Sequence, residues 1–277
     1  MTQVSILCAV THGLYEPWNE ILQDGQSRTW LSNSIPENFQ VVHFHAPPLS
    51  KIGVWLDSRH EALRWTNRYI ANVQRRIDNL LLKPLNGYIP TYKRSDLLCL
   101  DQDSVQINFM DSYLTMKWKD LGTLQYFLSE TTSDYLFMTT TSSYIRPNRL
   151  LEIVNAFDEK VDYAGAIHYE GANFAAGNNR LISRELAQAL IHNRQKWDPG
   201  TIEDVALGNV VRKLGYKLMR LPHVNISSLQ QLRELSDVAL LDNYHFRLKF
   251  YDGAERGDTL LMHLLHSRLT NLLGSQP

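Results

Sequence analysis

Cysteine is nearly absent. Cys8 and Cys99 are the only two in 277 residues, too few for a disulfide framework, and their apolar neighbours predict two buried thiols in a reducing compartment. Glycine (14) and proline (10) are also sparse, which excludes a linker-rich or low-complexity chain. Neither sign of charge dominates: 28 Lys and Arg stand against 29 Asp and Glu, so nucleic acid is not expected as a general partner. Long hydrophobic runs are missing as well. The opening MTQVSILCAVTHG has no basic start, and its apolar run is too short for a signal peptide or a membrane span. A globular, cytoplasmic protein is the expectation.

Several signatures of catalysis and cofactor binding are missing too. The chain has no G-x-x-x-x-G-K-[ST], no G-x-G-x-x-G, no G-x-S-x-G, no H-E-x-x-H and no paired Cys-x-x-Cys, which removes support for P-loop, dinucleotide, hydrolase-elbow and zinc readings. His43 and His45 share one side of an expected strand. Two imidazoles without a third ligand nearby read as ordinary strand residues.

The elements that are there alternate. VSILCAV and QVVHFHA read as strands, the second closed by Pro47 and Pro48. DSVQINFMD, SDYLFMTT, VDYAGAIHY and YKLMRLP are further strand candidates. KWKDLGTLQYFLSE and NRLLEIVNAF read as helices, as do SRELAQALIHNRQKW capped by Ser183 and TIEDVALGNVVRKLG, which starts at Thr201 and stops at Gly215. ERGDTLLMHLLHSRLTNLL closes the chain as an amphipathic helix. Strands alternating with helices predict one α/β domain over residues 1–277, with a mostly parallel central sheet flanked by helices.

Near-neutral charge is an average over unequal parts. Residues 51–95 hold nine Lys and Arg against three Asp and Glu, a local charge of +6 in a chain of net −1. Inside them, Ser58 to Lys83 places Ala62, Trp65, Tyr69, Ile70, Val73, Ile77, Leu80 and Leu81 at helical steps with arginines between. This reads as a basic helical insertion. Its charged face either meets water or supplies a peripheral contact with anionic lipid or a charged glycan.

Three blocks in order carry a resemblance. FMDSYLTMKW supplies Asp111, Tyr113, Leu114, Thr115 and Lys117; DYLFMTTTSSYIRPNRLLE gives a strand, a turn and a Pro-started helix; FAAGNNRLISRELAQAL precedes TIEDVALGNVVRKLG. SRTWL, Ser27 to Leu31, adds a weaker echo near the start. Together they resemble the β-1,3-galactosyltransferase and Fringe-like glycosyltransferases, whose fold is of the GT-A type. The resemblance implies an inverting transfer of a sugar from a nucleotide-sugar donor, UDP-linked in this family, to a hydroxyl of a glycan or lipid-linked glycan. Such an acceptor would place the chain at the inner face of a membrane.

It also implies site residues. The aspartate of E-D-V in the family resembles the base that deprotonates the acceptor, which maps to Asp204 with Glu203 beside it. The same residues have a local explanation: with Thr201 as N-cap, Asp204 completes a T-x-x-D capping box and Glu203 favours the helix N-terminus. Gly177 and Asn178, with Asn179, correspond to the family's acceptor loop, though Gly-Asn also suits an ordinary turn. Trp197, in the loop before Asp198 and Pro199, is the tryptophan expected to stack on an acceptor; the other five are expected in packing roles.

The family's metal-binding D-x-D is replaced by Thr140, Thr141 and Ser142. Hydroxyls alone suit a hard divalent cation poorly, so no metal cofactor is expected. These three are expected instead to hydrogen-bond the donor, together with Thr11 at the end of the first strand. They read equally as a β-favouring run at a strand end. The leaving diphosphate still needs a cation. His245, Arg247 and Lys249 alternate in HFRLK, on one side of an extended segment, and face either phosphate or water. Arg146 and Arg256 are further basic candidates. A second class of function remains: a domain that kept such a fold without catalysis and binds a glycan or a partner enzyme.

Overall fold

The computed structural model describes residues 3–47, 90, 93, 96–101, 103–109, 111, 115–167, 169–198, 201–252 and 255–274. Most of the basic segment 51–95, and the whole helix expected within it, lie outside those residues, as do Tyr113 and Leu114.

The first strand, β1 (Ile6–Thr11), is buried along its whole length, as a run without polar alternation requires of a strand covered on both faces. It lies in the middle of an eight-stranded sheet ordered β3-β4-β2-β1-β5-β8-β7-β9. The others are β2 (Phe39–His45), β3 (Leu97–Cys99), β4 (Ser104–Ile107), β5 (Tyr135–Thr140), β7 (Tyr163–Gly165), β8 (Arg180–Ser183) and β9 (Leu218–Arg220). Four of the pairings are parallel and three antiparallel. The expected α/β architecture with a mostly parallel sheet is therefore present. A small sheet of β10 (Val224–Ile226), β11 (His245–Leu248) and β6 (Ser143–Ile145) leans on one face.

Each face of the large sheet carries its own core. One side buries Ile6, Cys8, Val10 and Phe137 against α2 (Pro147–Asn155), the small sheet and the closing helix α7 (Asp258–Gly274). The other buries Leu7, Ala9, Leu136 and Met138 against α1 (Met116–Glu130), α3 (Arg184–His192) and α4 (Glu203–Lys213). Two short helices, α5 (Leu229–Glu234) and α6 (Asp237–Asp242), precede β11. Alternate residues of each central strand serve opposite cores, so a one-residue slip would exchange them.

Several expected boundaries hold. The Ser183 hydroxyl accepts the Leu186 amide at the start of α3, and Gly215, at φ 85°, follows α4 in the left-handed conformation glycine tolerates. Others differ. Ile202, not Thr201, is the N-cap of α4, and no side chain caps it; the Thr201 hydroxyl instead donates to Asp198. Cys8 is buried but Cys99 is exposed, because β3 is an edge strand. β8 interrupts what reads as loop running into helix: RLIS is four residues long and begins with an arginine. Among the described residues no helix is long and apolar enough to cross a membrane.

Candidate functional site

The chain builds outwards from β1 through β2 to β4, then returns across the sheet to β5 on the other side of β1. In open α/β sheets ligands bind outside the C-terminal strand ends where the winding reverses in this way. Here that switch point is the β1/β5 pair, whose last residues Thr11 and Thr140 stand in register. Because β8 runs antiparallel to β5, its entry loop Ala175–Asn179 reaches the same edge. Two banks form around this point.

On the first bank the Thr11 hydroxyl donates to the Thr139 carbonyl at 3.1 Å, and the Gln26 amide donates to the carbonyls of Thr140 (3.1 Å) and Ser143 (2.8 Å). Arg256 donates from Nη2 to the Ser142 hydroxyl at 2.8 Å and pairs with Asp258; both side chains are almost wholly buried. Its guanidinium lies over the ring of Trp18 at 4.9 Å and that of Tyr251 at 5.1 Å. Of the basic candidates, Arg256 is thus joined to the Thr-Thr-Ser turn. Arg146 is occupied elsewhere, donating to the carbonyls of Leu240, Leu241 and Asn243.

The expected HFRLK surface does not form as a free polar face. His245 is fully buried, beside Phe137 and Tyr244, with its Nε2 3.1 Å from the Ser143 hydroxyl. Arg247 and Lys249 are half-buried, and Arg247 lies close enough to His223 to hold that imidazole's pKa down, after burial and Arg220. The His245 end of that face packs against Phe137 and Tyr244, which takes it out of solvent.

The second bank is made by Asn178, Arg180 and the start of α4, over α1. Asp120 on α1 accepts two hydrogen bonds from Arg180, at 2.7 and 3.1 Å, with both side chains at most 3% exposed. Lys119 pairs with Asp111 at 2.8 Å and donates to the His12 carbonyl at 3.2 Å. Glu203 turns inwards at the first residue of α4. A Cβ on Gly177 would sit 2.6 Å from its Oε1, so glycine there is what admits the carboxyl. Burial first, then the nearby Asp204 and Asp120, push Glu203 up to about 7, with Arg180 opposing. Among the described residues its Oε2 is buried without a partner. Asp204 uses Oδ1 to accept the Val205 amide at 2.8 Å.

Other atoms of this bank are also unpartnered and buried: both amide atoms of Asn178, Nδ2 of Asn179 and Nε of Arg180. Each such group costs about 1–3 kcal/mol if it stays unpaired. Trp197, expected to meet a ligand, is 3% exposed and packs in the α1/α3/α4 core. The aromatic faces inwards because the loop around it folds back onto that core.

His43 and His45 do gain a third imidazole. His12, just past β1, lies 5.9 and 5.5 Å from them between ring centroids, and burial lowers all three, His12 to about 3. Among the described residues, however, no group of His, Cys, Asp or Glu could hold a metal ion. His12, Asp120 and Arg180 escape a sequence reading. Lys119 and Asp120 sit in a helix with polar and apolar residues mixed, and only the sheet order brings that helix beneath β8.

No protein-family model matches the chain, and no curated protein matches it.

Proposed function

We propose that the chain is an inverting glycosyltransferase, moving a sugar from a nucleotide-sugar donor, UDP-linked in the first instance, to a carbohydrate hydroxyl. One observation carries the reading: a carboxyl with an unpartnered oxygen, that of Glu203, stands at the switch point of an open α/β sheet. The sequence blocks that resemble GT-A transferases supply the same edge from β5, the 175–179 loop and α4.

In this reading Glu203 takes the acceptor's proton. The freed oxygen forms a bond to the anomeric carbon while the bond to the nucleotide diphosphate breaks, and the diphosphate leaves on the opposite side. A carboxyl near 7 is poised for that task at neutral pH. Glu203 replaces Asp204 as the proposed base, because Asp204 already accepts a backbone amide. Asp204 then acts through its charge, which helps hold the Glu203 carboxyl up. Thr11, Thr140 and Thr141 line the donor side, beside Ser142 and the Arg256–Asp258 pair. A metal like the family's manganese does not fit this turn. Its side-chain oxygens are hydroxyls, one already bonded to Arg256, and the nearby Asp258 is paired with that arginine.

The test is nucleotide release from UDP- and GDP-sugars by the purified chain, with and without chelator. Glu203→Gln should lose about 10²–10⁴-fold in turnover, and Asp204→Asn distinctly less. Full activity in Glu203→Gln sinks the base assignment. Loss of activity in chelator with recovery on Mn²⁺ sinks the metal-free part. Glycan binding without any turnover supports a non-catalytic domain instead.

A further inference from the structure

Asn178 is 6% exposed, and among the described residues neither its amide nitrogen nor its oxygen has a partner. The backbone around it is fixed. Its carbonyl accepts the Thr139 hydroxyl at 2.9 Å, the next residue's amide donates to the Ala176 carbonyl at 2.9 Å, and the Tyr244 hydroxyl donates to the Asn179 side chain. Gly165 lets this turn approach the sheet, since a Cβ there would lie 2.2 Å from the Asn179 carbonyl oxygen. A donor and an acceptor are thus held in place with nothing to bind.

Charge decides what fits. Arg180 is matched by Asp120 and Lys119 by Asp111. Lys117 donates to the Thr201 carbonyl at 3.4 Å, with Asp198 and Glu203 nearby. Among the described residues, five carboxyls, those of Asp111, Asp120, Asp198, Glu203 and Asp204, therefore surround three cations. An anionic group would add repulsion, whereas hydroxyls match the vacant amide atoms of Asn178 and the Nε of Arg180.

From this juxtaposition we infer that Asn178 is a specificity-determining residue that hydrogen-bonds hydroxyls of a neutral transferred sugar, and that this bank rejects uronic acids and other anionic sugars. The inference rests on the transferase reading. In an inverting displacement the base and the leaving group flank the anomeric carbon, so what lies between Glu203 and the β5 end is the transferred sugar. Asn178 stands there, bonded to Thr139 and next to Gly177.

The experiment measures nucleotide release from UDP-glucose, UDP-galactose, GDP-mannose and UDP-glucuronate, with calorimetric binding of free UDP and GDP. Wild type should favour a neutral sugar over glucuronate by at least about tenfold in kcat/KM, and Asn178→Ala should lose about 10–100-fold on that neutral sugar. Affinity for the free nucleotide should stay unchanged, because Asn178 touches sugar and not nucleotide. Asn178→Ser, with a melting curve for each variant, separates lost contact from lost fold. Equal rates on glucuronate, or an unaltered preference in a folded Asn178→Ala, overturns the inference while leaving the transferase reading intact. Neither binding nor release with any nucleotide overturns both.

Discussion

On one bank of the crevice the polar groups are turned on the protein itself. Arg256 holds Asp258 and Ser142, and Thr11 holds the neighbouring strand. On the other bank, Asn178, Glu203 and Arg180 keep buried atoms without partners. Both banks carry a buried arginine–aspartate pair, so that pair by itself does not distinguish them. The difference is one of degree: among the described residues the first bank leaves Gln26 Oε1 buried and unpartnered, and the second leaves several such atoms on Asn178, Glu203 and Arg180. The first bank ties the Ser142 turn to the chain just before α7, whereas the second leaves more of its buried polar atoms unpartnered among the described residues. A polar cluster satisfied from within supports the fold, and one left open calls for a further partner, water or ligand.

Breaking the pair beneath the open bank gives the largest expected effect on stability. Arg180→Ala leaves Asp120 charged, buried and unmatched, which should cost about 3–5 kcal/mol in urea denaturation. Replacing both, as Asp120→Leu with Arg180→Met, should recover most of that loss, because the desolvation of two charges disappears together. A single variant as stable as wild type would show that the pair does not support this bank.

How far the sequence foretold this contrast depended on whether a role was local. β1, β5, the Ser183 cap and the Gly215 stop were legible because each follows from neighbours along the chain. The Thr201 cap failed on a one-residue shift in the start of α4, and with it the capping box for Asp204. His245 and Trp197 failed because burial is decided by elements far along the chain: Ser143 and Phe137 for one, the α1/α3/α4 core for the other. The Asp120–Arg180 pair spans 60 residues and leaves no local trace. Legibility ended where sheet order began.

Titration sharpens the comparison by a smaller amount. Burial raises Glu203 from 4.5 to about 7, so the folded chain keeps a proton that the unfolded chain has released. Between those values the unfolded state binds fewer protons, and stability must fall as pH rises through that window. The contribution reaches up to roughly 3 kcal/mol. Urea midpoints measured from pH 5 to pH 8 should therefore decline more steeply for wild type than for Glu203→Gln, whose side chain does not titrate. Parallel curves would remove Glu203 as the perturbed group.

The smallest effect on stability comes from the glycine that separates position from packing. In Gly177→Ala the new methyl carbon would meet Glu203 Oε1 at 2.6 Å but nothing else closer than 3.7 Å. The obstructing atom is the free end of a flexible side chain, so the carboxyl can swing aside for less than about 1 kcal/mol. Its position is then lost, and a displacement on the order of 1 Å is enough to cost about 100-fold in turnover. Gly208→Ala, in the helix that begins at Glu203, is the counterpart. There the methyl would lie 2.2 Å from Cβ of Phe174 and 3.1 Å from its Cα, where no rotation relieves the clash, so stability should fall by about 1–3 kcal/mol. Thermal melts and nucleotide-release rates on the two variants should fall in opposite patterns. If Gly177→Ala keeps full turnover, the close approach of that loop to Glu203 belongs to folding alone.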